Sequence, residues 1–517
     1  MRVRPILASL ALSLGLGLGL PACQSVPPAH EGADSASTPS TEADAADVVE
    51  RMLAFSVSGQ TIGVVETRLE KAPDGTWTGR ERVSFSMVRQ AGGDDAAFSS
   101  TTESVTIYNP AHEFVSEVEV EVEAGITITR TVTREGDEMV SRYSGPGRED
   151  VKRFPIPATY RSGLAVDLEM IAEWERTGQP VTREYASFDA SRERFETSKV
   201  TLTGATVFEH AGERIPAYTF RTVEEDGTVM DSIVDHDLVP LRVESAGVFL
   251  ATLVDERPEL GGAGAGRINS ELPVTGKTSG RWWELAQQQV EVEVDGDDPS
   301  APSLWDSNHY HQVTREGADY KMTLLSTRPG PEFTAPPLPI APSDPEIARF
   351  LAPTAMAQSD NQRIVAKAKA LVGDERDSLV VAARIVDAVY AEVDKQAGVR
   401  GSATAAEVLQ NGAGDCTEHA VLVVALMRAA GIPARAVDGI VILADRDGSG
   451  VAGYHAWAEI WLGQWIGVDA TVKETGTSAR YLAFGIDEPG SIGSGGKMMR
   501  SIGKTSIELG PYTSYDR

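Results

Sequence analysis

The run Gly414-Asp415-Cys416-Thr417-Glu418-His419 opens an apolar stretch, Ala420 to Ala430, with the texture of a helix; Tyr454-His455-Ala456-Trp457 and Trp465-Ile466-Gly467-Val468-Asp469 follow it. Asp415 reads as the N-cap of that helix, Glu418 as its capping-box partner and Gly431-Ile432-Pro433 as the stop. Cys416 then falls in the first turn, where backbone N–H groups and the positive end of the helix dipole favour a thiolate. A thiol becomes a good nucleophile only with such help or with a neighbouring imidazole. Tyr454 to Trp461 alternates aromatic and small residues, Gln464 to Asp469 is short and apolar, and Leu462-Gly463 supplies a turn. That pattern predicts a hairpin with His455 on one strand, placed to pair with Cys416, and Asp469 on the next, placed to orient the imidazole.

At these residues the sequence resembles the bacterial transglutaminase-like superfamily, acyltransferases and peptidases of papain-like fold. Four blocks carry the resemblance in the right order: Gly412 to Ala420, Gly431 to Arg435, His455 to Glu459 and Trp465 to Thr471. The resemblance spans roughly Leu351 to Phe484 and implies Cys416, His455 and Asp469 as a catalytic triad. One departure follows the aspartate. After Asp469-Ala470-Thr471 the family is expected to continue with an aromatic-Gly-Gln stretch, and here Val472-Lys473-Glu474 stands instead.

The neighbouring polar residues read as structural. Glu418 is a cap and His419 a hydrogen-bonding residue rather than a second base. Trp457, Trp461 and Trp465 are core or cleft wall, and Glu459, on the His455 face by two-residue alternation, is a salt-bridge partner. His309-Tyr310-His311 is expected to put two imidazoles on one strand face, but no third ligand stands at a familiar spacing, so no metal site is assigned. Asp445-Arg446-Asp447-Gly448-Ser449-Gly450 imitates the start of a calcium loop, yet Ala456 occupies the twelfth position where a bidentate Glu is needed; a hairpin turn is the better reading. No metal or organic cofactor is required by this chemistry.

Cys23 and Cys416 are the only cysteines. Arg2 and Arg4 precede an apolar run, Ile6 to Leu20, that is short for a bilayer span and ends in Leu20-Pro21-Ala22-Cys23. This looks like a lipoprotein signal with Cys23 as the lipidation site; ordinary secretion with cleavage near Ala22 is the alternative. With Cys23 lipidated an intramolecular disulfide is impossible, and a lone thiol in an exported protein is better explained by reactivity than by packing. Gln24 after Cys23 is compatible with outer-membrane sorting. The 76 acidic and 47 basic residues give a formal net charge of −29, which argues against a nucleic-acid partner and fits a body held to the membrane through an N-terminal lipid.

Composition and turn signals divide the chain. Residues 1–23 form the lipoprotein signal peptide and lipidation site, and 24–47 a disordered tether. Residues 48–260 form an antiparallel β-rich domain in which Arg82 to Met87 and Glu117 to Glu123 alternate, with acids expected outward and valines inward, and one helix near Leu164 to Arg176. Its Tyr218 to Glu256 portion is similar in texture to the curved sheets of envelope lipoprotein carriers. After Gly261 to Gly266 come a small β-containing segment, 267–328, a stiff Pro-rich linker, 329–345, and a catalytic domain, 346–517. That last part has helix patterns over Asn361 to Val372 and Ser378 to Lys395, then the cysteine helix, then strands, with a final strand within Ser501 to Leu509. The fold class is α+β: a papain-like transglutaminase core, helices then antiparallel strands, preceded by the β-rich domain.

The expected activity is thiol-dependent acyl transfer or amide hydrolysis on protein or peptide carboxamides, peptidoglycan peptides among them, in the periplasm or at the outer membrane of a bacterial envelope. The sequence leaves open whether an amine or water accepts the acyl group. The rival reading is a catalytically inactive binding or scaffold lipoprotein that works through the β-rich domain; lipid carriage by the curved sheet is a third.

Overall fold

The computed structural model describes residues 47–515 apart from 58, 92–93, 124–125, 146–147, 191–192, 226, 246–248, 261–265, 270, 298, 300–301, 355, 396–402 and 488–494. The expected signal peptide, Cys23 and the tether up to residue 46 lie outside the described residues. Among the described residues no helix is long and apolar enough to cross a membrane.

Antiparallel sheet dominates. In the first sheet the strands from Asp47–Val57 to Arg148–Pro155 pair each with the next, those from Val181–Asp189 to Phe249–Leu253 do the same, and Phe249–Leu253 closes onto Asp47–Val57. Its two edge strands are therefore Arg148–Pro155 and Val181–Asp189, and the sheet rolls until they meet. Phe154 lies 5.2 Å from Phe188, ring to ring, and Lys152 pairs with Glu193. The helix Gly163–Thr177 joins the two edges and buries Leu164, Val166 and Met170 in one apolar core with Phe55, Val65, Phe220 and Phe249. Gly178 ends this helix in the left-handed conformation, its N–H bonded to the Trp174 carbonyl.

One expectation for this sheet is reversed. Along Phe114–Glu123 the acids Glu119 and Glu121 are only 7% and 8% exposed, while Val118 and Val122 are 37% and 42% exposed. The register explains it. Glu119 stands opposite Ser104 on one side and Arg130 on the other, and Arg130 reaches it at 2.7 Å and Glu121 at 3.6 Å. Alternation fixes that successive side chains part, but the neighbours decide which set goes inward; here the inward row already holds Glu81, Thr102, Ser104 and a cation to neutralise new acids.

The cysteine helix, Cys416–Ala429, is buried from Glu418 to Arg428 and lies at the centre of a second core. A helix apolar all round needs cover on every side. It packs with the helices Gln362–Val372, capped by Asn361, Ser378–Glu392, capped by Asp377, and Ala405–Asn411, closed by a Thr404/Glu407 capping box. Ala458, Ile460, Ile466 and Val468 complete the core from a sheet in the order Glu474–Thr475, Trp465–Asp469, Gly450–Trp461, Ala434–Ala444, Tyr481–Asp487. The Asp445–Ser449 segment is the hairpin turn between two of these strands, with Asp445 N–H bonded to the Ser449 carbonyl at 2.7 Å.

A third sheet joins residues far apart in sequence. Leu285–Val294 pairs with Asp319–Leu325 and with Thr505–Ser514 near the C-terminus. Val290, Val292, Tyr320 and Met322 share a core with Ile440, Tyr454 and Phe484 of the central sheet. The Pro-rich segment also docks: Leu338 and Ile340 are buried against the helices, and Ile340 N–H bonds the Gly431 carbonyl at 2.9 Å. Gly431 sits at φ +82°, and a Cβ there would lie 2.8 Å from Pro339 Cβ. Gly431→Ala is therefore expected to lower unfolding free energy by about 2 kcal/mol, measured by urea denaturation; an unchanged midpoint would contradict the contact.

Candidate active site

Cys416 is the first residue of its helix and is partly exposed. The capping box predicted from sequence forms: Asp415 accepts the Thr417 N–H at 2.9 Å, and Glu418 folds back to accept the Asp415 N–H at 2.9 Å. Gly414 is required by that fold-back, since a Cβ there would meet Glu418 Cβ at 2.3 Å. Burial, together with the Asp415 charge, holds the Glu418 carboxyl well above its ordinary range. His419 donates from Nδ1 to the Asp415 carbonyl at 2.6 Å, and burial pulls its imidazole downward, so it is neutral and part of the helix start.

His455 comes from Gly450–Trp461 and Asp469 from the end of Trp465–Asp469, which pair as antiparallel neighbours. Nε2 of His455 is 2.7 Å from Asp469 Oδ2, with side-chain exposures of 12% and 1%. Cys416 lies close enough to act on the same imidazole and favours its charged form. With Nε2 engaged by Asp469, Nδ1 is the ring nitrogen left for sulfur. The structure thus pairs His455 with Asp469 and sets Cys416 near the same imidazole. Burial is the largest influence on His455 and disfavours its charged form. The Asp469 charge and hydrogen bond, with a smaller contribution from Cys416, outweigh it and push the imidazole up to about 10. Burial likewise acts to raise Asp469, but His455, Thr471 and Arg480 hold it well below the ordinary carboxylate range. His455 stacks on Trp457 at 6.1 Å, and Trp457 Nε1 donates to Tyr310 at 2.9 Å.

The sequence match to protein families falls on this region: residues 365–470 match the transglutaminase-like superfamily. The chain carries a transglutaminase-like domain. Among solved structures, a candidate cysteine protease from Cytophaga hutchinsonii is similar at 18% identity over 45% of this chain and 84% of that one, with a TM-score of 0.28. A β-barrel-like protein of a domain of unknown function from Brucella abortus is similar at 10% identity over 40% and 95%, TM-score 0.32. A candidate protease from Parabacteroides distasonis is similar at 12% identity over 67% and 64%, TM-score 0.17. No curated protein matches this sequence.

Within the transglutaminase-like domain, Glu459 has the structural role read from sequence. It is fully buried and bonds Arg435 at 2.5 Å, His309 at 2.6 Å and Tyr310 at 3.2 Å. His309 and His311 do not share a face as expected. The strand begins only at His311, whose Nε2 reaches the Ala483 carbonyl at 3.1 Å and whose imidazole burial pushes down to about 4, while His309 turns to Glu459. Among the described residues no group of three or more His, Cys, Asp or Glu is arranged to hold a metal ion.

Sequence reasoning missed the other side of Asp469. The Tyr481 hydroxyl lies 2.8 Å from Asp469 Oδ2 and 2.9 Å from Glu474, and Arg480 donates to Glu474 at 3.2 Å. These residues lie beyond the family match. The only signal was the unusual Val472-Lys473-Glu474. Lys473 adopts φ +61°, where the expected family residue is glycine, and its ammonium lies 3.4 Å from Asp387.

Two outcomes follow for the transglutaminase-like domain. Lys473→Gly relieves a left-handed side chain at the cost of glycine entropy and should raise stability by about 0.5–1 kcal/mol in urea unfolding; a loss would refute the strain. For pH, a histidine raised from 6.5 to about 10 stabilises fully below 6.5 and loses that contribution as pH rises through about 10. An aspartate depressed from 3.8 stabilises above 3.8 and loses that contribution as pH falls through its lowered native value. The stability gap between wild type and Asp469→Asn should therefore be wide near the histidine's ordinary 6.5 and narrow above about 10; a constant gap across unfolding curves would contradict the ion pair.

Proposed function

We propose that Cys416, His455 and Asp469 act as a catalytic triad for acyl transfer from protein or peptide carboxamides. The Cys416 thiolate attacks the carbonyl carbon, the C–N bond breaks, and the leaving amine takes the proton of the His455 imidazolium, which leaves a thioester and a neutral imidazole. In the second half the N–H or O–H of an acceptor gives its proton to His455 as it attacks the thioester, and the thiolate departs. An amine acceptor gives cross-linking; water gives amidase or peptidase chemistry. The backbone N–H of Cys416, at the first position of the helix and without an intrahelical acceptor, is an oxyanion donor in this reading.

The observation that carries the reading is the 2.7 Å His455–Asp469 contact, with Cys416, at the start of a capped helix, near enough to act on the same imidazole. The match to the transglutaminase-like superfamily supports it. The wider setting belongs to the same proposal: a signal peptide ending at Cys23, lipidation there, a tether, the rolled sheet, and the catalytic part anchored at the bacterial envelope with wall or envelope peptides as substrates.

Iodoacetamide alkylation of Cys416 across pH is the direct test. The reactive form should persist below the free-thiol midpoint of about 8.5, and His455→Ala should slow alkylation at neutral pH by roughly 100-fold. Cys416→Ala should abolish labelling and any turnover of a glutamine-containing peptide. A thiol of ordinary reactivity that ignores His455→Ala would sink the proposal and turn attention to binding by the rolled sheet.

A further inference from the structure

Asp469 is held from a part of the chain that the family match does not reach. The Tyr481 oxygen sits 2.8 Å from Asp469, 2.9 Å from Glu474 and 3.1 Å from Nη2 of Arg480. A phenol carries a single proton. It cannot fully satisfy two acidic side chains at once, and their repulsion across one hydroxyl calls for a fixed cation. Arg480 is in that position. Only 1% exposed, it bonds Glu474 at 3.2 Å and, through Nε, the Ser478 hydroxyl at 3.2 Å, while its guanidinium lies 3.8 Å over the Trp282 ring. Trp282 belongs to the single turn Trp282–Glu284, which precedes the strand Leu285–Val294 of the third sheet.

Resting on the triad reading above, we infer that Arg480, clamped on Trp282, is a positioning residue for Asp469: it offsets the Glu474 charge and fixes the Tyr481 hydroxyl, so that Asp469 Oδ2 stays aligned on His455 Nε2. A guanidinium can stack flat on an indole while donating in its own plane, which an ammonium cannot do. The charged and titratable groups facing Asp469 are His455, Tyr481, Glu474, Arg480 and, from the cysteine helix, His419. Of these, Arg480 is the one anchored on the turn that leads into the strand Leu285–Val294 of the third sheet. The catalytic unit therefore includes Trp282 and the segment around it, ahead of the Pro-rich stretch.

The test is the pH profile of Cys416 alkylation by iodoacetamide in the full chain, with circular dichroism confirming that each variant is folded. Arg480→Met should move the acid limb up by about one pH unit or more, since removing an opposite charge at this range shifts a carboxylate by that amount. Arg480→Lys should fall between, because it keeps charge and loses the stack. The double variant Arg480→Met/Glu474→Gln, which removes both members of the ion pair, should bring the limb back at least halfway, an outcome that loss of packing alone would not produce. Should Arg480→Met fail to fold, Trp282→Leu carries the test, because it leaves every charge in place and should still move the limb upward. An unmoved limb in the folded variant overturns the positioning role alone, provided wild type responds to His455→Ala. A wild-type profile indifferent to His455→Ala overturns the triad reading and this role with it.

Discussion

A carboxylate taken out of water must have its charge matched and its lone pairs filled, and the region around Asp469 is arranged to meet that demand. Asp469 is 2% exposed. One oxygen accepts the backbone N–H and hydroxyl of Thr471, at 2.8 and 2.5 Å, and the other faces His455 and Tyr481. The same interaction that stabilises the carboxylate favours the charged form of His455. The hairpin, the Thr471 turn and the Tyr481 strand each supply a partner to that one buried charge.

The cysteine helix supplies the opposing constraint. Its first turn leaves the thiol partly exposed while the remainder is enclosed, and the capping box permits both by filling N-terminal donors from Asp415 and Glu418 rather than from a covering loop. Three other helices and the central sheet enclose the remainder. The docked Leu338 and Ile340 then close the far end against Gly431, so the Pro-rich segment works as packing as well as connection.

Much of this was legible because it is local. Caps and stops need only near neighbours, which is why Asn361, Asp377, Thr404 and Asp415 mark helix starts in the sequence and in the structure. The His455–Asp469 pairing was legible for the same reason, since a short turn fixes the register of a hairpin. His309 and His311 were misread because alternation was assumed to begin two residues before the strand does. Glu119 and Glu121 were misread because a period of two says that side chains alternate and is silent on which set faces the core.

The sequence by itself determined the cysteine helix, its cap, the order of helices before strands and the hairpin that carries His455 and Asp469, because each depends on short-range backbone chemistry. Only the tertiary structure decided that acids point inward beside Arg130, that the C-terminal strand completes a sheet begun at Leu285, and that Trp282, Arg480, Glu474 and Tyr481 stand behind Asp469. Trp282 and Arg480, like the strands Leu285–Val294 and Thr505–Ser514, are far apart along the chain, while the Arg130 and Tyr481 contacts, though closer in sequence, depend on which face of a sheet each side chain takes, and a period of two leaves that open.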